Sequence, residues 1–216
     1  MGLFDFWREK PITTTDELVE EVARSAAFVV NKAMFEYSRA RSGILSNALL
    51  KEKEFQVAIE KARWSAFPLA VGYVTEIIYG LLAPAFQDKR ADLTDALVGV
   101  ALRALAHDDA PVDFFPEGWG PPGAEVEARL RLAMLAAPKT VRSIPDQTAE
   151  AFFDAFPLHE TVKQHDFVPI SNNLRSLLLF RYEKIGPRLN LQLLRVALLN
   201  QSVPVQPVPK PVGEAL

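Results

Sequence analysis

The chain has 216 residues, 49% hydrophobic and 24% charged, which suits one well-buried core, is short for two, and excludes wholesale disorder. A formal net charge of −3 excludes a generally polybasic nucleic-acid or membrane binder, and no nucleic-acid partner is expected. The absence of cysteine excludes disulfides, thiolate nucleophiles and zinc ribbons, and fits a reducing compartment.

The leader Met1-Gly2-Leu3-Phe4-Asp5-Phe6-Trp7-Arg8 lacks the basic region, apolar core and small-residue cleavage site of a secretory signal. Phe6 stands where a myristoylation motif prefers a hydroxyl, so a cytoplasmic location is expected. Thr14 and Glu17 then have capping-box spacing. Leu18, Val22, Ala26, Val29, Ala33 and Tyr37 follow at threes and fours, which predicts an amphipathic helix from about Asp16 to Ser42. A second helix is expected from about Ser46, with Leu50, Phe55, Ala58, Ile59 and Ala62 on its apolar side.

Residues 64–87 hold a single charge, Glu76, and are punctuated by Pro68 and Pro84. The prolines predict a separate buried helix over 69–83, too short for the roughly 30 Å core of a bilayer. Pro68, Gly72, Glu76, Gly80 and Pro84 recur at every fourth position and form one edge. That edge reads as facing water, because Glu is seldom fully buried. The alternative makes Glu76 a buried charge under a helix packed closely over the glycines, with an Arg or Lys partner or a raised pKa.

A helix over Asp92–His107 comes next, then a loop from Asp108 to Gly123 whose prolines and glycines predict no regular structure. Phe114, Phe115 and Trp119 on this loop are candidate partner contacts. The plainer reading is that they pin the loop to its own core. Helices are expected over 124–137 and 146–156, an undecided stretch over 157–169, and helices over Ser171–Ile185 and Pro187–Gln201 split by Gly186-Pro187. Residues 203–216 read as a flexible Val/Pro-rich tail following a single domain over 1–202. No segment alternates with a two-residue period. The expected fold is all-α, an irregular multi-helix bundle of about seven or eight helices around a central apolar helix.

Charge is uneven: residues 1–170 carry 18 Lys/Arg against 25 Asp/Glu, while 171–216 carry 6 against 2. Arg181, Lys184, Arg188 and Arg195 are therefore candidate contacts for an acidic partner, against the plainer reading of a solvated face or internal ion pairs. The chain has no Gly-x-Ser-x-Gly elbow, Walker loop or His-Glu-x-x-His motif, and no cofactor is expected. All three histidines adjoin carboxylates, which makes His159 and His165 a weak alternative for metal binding. Their spacing sets them about 240° apart on a helix, so exposed polar residues are the plainer reading. The leading functional expectation is a non-enzymatic interaction, assembly or scaffold protein whose partner is another protein. One alternative is a membrane-associated protein embedding or docking residues 64–87. The other is an enzyme or ligand-binding protein with an apolar pocket around Glu76 or the histidines.

Overall fold

The computed structural model describes residues 10–42, 52–157 and 165–201. Helix α1 spans Thr15–Ser42 and starts at the expected capping box. The Glu17 amide donates to Thr14 Oγ1 at 3.2 Å, and Glu17 Oε2 accepts from the amides of Thr13 and Thr14 at 2.8 and 3.1 Å. Orphan amides at the helix start are thereby satisfied from both sides.

Helix α2, Lys53–Leu82, corrects the expected break at Pro68, because one continuous helix carries that proline inside it. An interior proline deletes a backbone hydrogen bond and costs about 3 kcal/mol. Here the penalty is offset by burial on both sides, with Phe67, Ala70, Val71 and Val74 all in the core. The expected start near Ser46 lies outside the described residues. Tertiary packing has overridden a local signal.

Around α2 lie α3 (Arg90–Leu105), α4 (Gly120–Met134), α5 (Ala149–Asp154), α6 (Phe167–Ile185) and α7 (Leu191–Gln201). The fold is an all-α bundle with seven α-helices among the described residues. Helix α2 touches α1, α3, α4, α5 and α6, which makes it the central apolar helix. With the turn that follows it, Lys53–Phe86 is long and apolar enough to cross a membrane by length and composition. The expectation that prolines shorten this stretch therefore falls. Within the structure, 83% of its apolar window is buried against the rest of the chain.

Two further starts are corrected. Helix α4 opens at Gly120, inside the expected loop, with Pro121 and Pro122 in its first turn. Helix α6 opens at Phe167, with Pro169 in its first turn. First-turn amides have no intrahelical acceptor, so proline removes nothing there and presets φ. Gly186–Arg188 forms a short 3-10 turn and ends α6 as expected. Among the described residues there is no strand, only one parallel bridge: the Ile12 amide donates to Arg188 O at 2.8 Å, and the Asn190 amide to Ile12 O at 3.0 Å. This bridge ties the chain ahead of α1 to the α6–α7 link. The Val/Pro tail lies outside the described residues.

Candidate functional site

The aromatic loop is anchored to the bundle. Trp119 lies 5.0 Å from Phe115, 5.8 Å from Trp64 and 6.2 Å from Phe67 between ring centroids, and its Nε1 donates to Asp108 O at 2.9 Å. Phe114 and Phe115 are half-buried, and the turn beneath them closes on Gly118, which sits in the left-handed region at φ 65°.

Three of the four basic candidates are engaged internally. Arg181 Nη2 donates to Glu21 Oε1 at 2.6 Å and its Nε to Ser25 Oγ at 3.1 Å, with the guanidinium over Phe28. Arg188 Nη1 donates to Glu21 Oε2 at 2.5 Å, and its Nε to Lys10 O at 2.9 Å. Arg195 binds both oxygens of Asp88 and donates to Ala85 O, with its guanidinium over Phe86. Only Lys184 stays exposed, over the Phe180 ring. The Glu21 side chain is 1% exposed. Burial pushes its carboxyl up, but hydrogen bonds from Ser25, Arg188 and Arg24 outweigh this and hold it below the ordinary value.

The expected water-facing edge is buried at Pro68, Gly72 and Glu76, half-buried at Gly80 and exposed only at Pro84, beyond the end of α2. Glu76 is buried, with Lys139 Nζ at 3.4 Å and Arg129 Nε at 3.8 Å from its carboxyl oxygens. Gly72 is required by this arrangement, since a Cβ there would lie 1.4 Å from Arg129 Nη2. The guanidinium takes the missing side chain's place, donates to Leu69 O at 3.2 Å, and lies 5.0 Å from the Tyr73 ring centre. Tyr73 in turn hydrogen-bonds the Thr148 hydroxyl at 2.8 Å. Burial raises the Glu76 carboxyl above its ordinary value, against the pull of Arg129 and Lys139. Arg129 Nε is buried without a hydrogen-bond partner. The fourfold spacing in the sequence pointed to a basic partner for a buried Glu76, but nothing local singled out Arg129 or Lys139.

His107 and His165 are exposed, with His107 Nδ1 3.7 Å from Asp108 Oδ1, while His159 lies outside the described residues. Among the described residues no group of three or more His, Asp or Glu side chains is placed to hold a metal ion.

What the sequence did not disclose is a trough along α1. Its first hollow, about 400 Å³, begins at Lys10 and Pro11 and reaches Ala27 and Asp108. A second, also about 400 Å³, shares Ala27 and Asp108 and continues to Asn31, Arg63, Trp64 and Phe67. A third, about 800 Å³, shares Asn31 and Arg63 and opens between α1 and α2 over Phe28, Met34 and Ile59. At this open end Phe35, which lines the hollow, is 52% exposed. A separate groove of about 620 Å³ lies between α2, α4 and α5. Its α2 residues, Ser65, Pro68 and Leu69, are about half a turn away from Gln56, Glu60, Arg63 and Phe67 of the trough. The two depressions therefore occupy opposite faces of the central helix.

No family model matches the chain, and no curated protein and no solved structure matches it.

Proposed function

We propose that the protein is a non-enzymatic interaction module whose α1–α2 trough receives an amphipathic helical segment of another protein. The observation that supports this reading is the trough with the exposed Phe35 on its wall. From Glu17 to Phe35 the trough runs along about 27 Å of α1, the length of a helix of roughly 18 residues. A guest helix presents apolar anchors at i, i+3, i+4 and i+7 over about 10 Å. That suits the third hollow with Phe28, Met34, Phe35 and Ile59, while charged residues of the first, such as Lys10, Glu20 and Arg24, would meet the guest's polar side. The reading moves the contact surface away from Trp119, Arg181 and Arg195, whose side chains already have intramolecular partners, and keeps Arg188 on the wall of the first hollow.

The test replaces Phe35 with Glu. Phe35 is exposed, so the melting temperature should hold. Partners recovered from native extract by the wild-type chain should bind the variant about 30-fold more weakly, as loss of a hot spot worth about 2 kcal/mol implies. Unchanged recovery of every such partner sinks the trough as the docking surface.

A further inference from the structure

We infer that the groove between α2, α4 and α5 binds an unbranched apolar monocarboxylate, with its chain along the groove and its carboxylate on Arg129. The walls are Pro68 and Leu69 of α2, Phe115 of the loop, Val126 of α4, and Ala151 and Ala155 of α5. A volume of about 620 Å³ falls within the range of small-molecule sites. Among the described residues, Arg129 is the only cation lining the groove. Its side chain is 18% exposed and anchored on one side by Gly72, Tyr73 and Leu69 O, which fixes the fork before any ligand arrives.

The hydrogen bonding of this guanidinium is incomplete. It has five N–H donors. The structure gives it one hydrogen bond, to Leu69 O, and leaves the buried Nε without one. Its nearest carboxylate, Glu76, stands off at 3.8 Å and is shared with Lys139. One carboxylate between two cations leaves the cluster one positive charge in excess, beside apolar walls where charge is poorly screened. A single carboxylate with an apolar chain matches both halves of the site. A phosphate would bring more charge and more acceptors than one guanidinium satisfies. Glu125 is exposed at the groove's edge, where solvent screens its repulsion.

The experiment titrates octanoate, decanoate, dodecanoate and decanol, below their aggregation limits, into the full chain. Tryptophan fluorescence reports binding, because the Trp119 ring lies 5.0 Å from that of Phe115 in the groove wall. Affinity should rise about fourfold per added methylene until the groove is filled. Decanoate should bind at least tenfold tighter than decanol, and Arg129→Gln should collapse that ratio towards one while decanol binding persists. Ala151 is exposed, so Ala151→Trp should fold normally and weaken all four compounds by blocking the groove. Equal binding of decanoate and decanol to the wild-type chain overturns the inference, as does an Ala151→Trp variant that binds unchanged. Should Arg129→Gln fail to fold, those two measurements still decide. Trough variants should leave these titrations untouched, so the two readings fail separately.

Discussion

Glu21 and Glu76 are both buried carboxylates among basic side chains, three around Glu21 and two around Glu76, yet their surroundings shift them in opposite directions. Glu21 is met at hydrogen-bond distance by Arg181, Arg188 and Ser25, and its carboxyl is held below the ordinary value. Glu76 has its cations at 3.4 and 3.8 Å, and burial dominates, so its carboxyl is raised. Nearby opposite charge does not by itself stabilise a buried anion. Desolvation is repaid when donors close on the oxygens, and much less when they stand an ångström further off. The first cluster is a finished clamp, joining α1 to α6 and to the link after it. The second is unfinished, and it borders a groove.

The largest effect should come from breaking the finished cluster. Glu21→Gln strips Arg181 and Arg188 of their shared carboxylate while both remain largely buried, at 11% and 12% side-chain exposure. Removing one partner from a buried ion cluster costs about 3–5 kcal/mol. Urea unfolding should show a loss of that size; a change below about 1 kcal/mol would mean that the clamp contributes little to stability.

The next effect tests the space beneath the unfinished cluster. Gly72→Ala places a Cβ where Arg129 Nη2 now lies, so the guanidinium must leave. Overpacking of this kind costs about 1–3 kcal/mol. The same substitution should also reduce the decanoate-to-decanol ratio, because the guanidinium is displaced from the groove floor. A variant as stable as wild type with that ratio intact would show that Arg129 has a second seat.

These clusters also mark how far the sequence could be read. The Thr14–Glu17 box was legible because its partners are three residues apart. The edge of Gly72, Glu76 and Gly80 was legible as a pattern, but its direction was not, since Arg129 and Lys139 arrive from 50 or more residues away along the chain. The C-terminal arginines looked like a surface stripe for the same reason: Arg181 and Glu21 are 160 residues apart. Prolines misled twice over. Pro68 lies inside a helix that burial sustains, while Pro121, Pro122 and Pro169 begin helices that they were expected to precede. The trough could not be foreseen, because it depends on which flank of α1 and α2 other elements leave uncovered. Periodicity finds a buried face; it does not report an uncovered one.

The smallest effect is the sharpest test of the comparison. Glu76→Gln should cost about 1 kcal/mol or less at neutral pH, because the substitution removes a charge that burial already disfavours, while Arg129 keeps Leu69 O and the Tyr73 ring. Its signature lies in the pH dependence. A carboxyl raised in the folded state binds its proton more tightly there than in the unfolded chain. Its stabilising contribution is therefore complete below the ordinary value of 4.5 and is lost as pH rises from there through the folded value. Glu21 has the opposite sign: its contribution is complete above 4.5 and is lost as pH falls through its lowered folded value. Denaturant unfolding at pH steps on both sides of 4.5 should then separate the two variants. Glu21→Gln should flatten the loss of stability on the acid side, and Glu76→Gln should flatten the decline on the neutral side. If Glu76→Gln instead removes an acid-side loss, the carboxylate is held as tightly as that of Glu21, and the second cluster is as complete as the first.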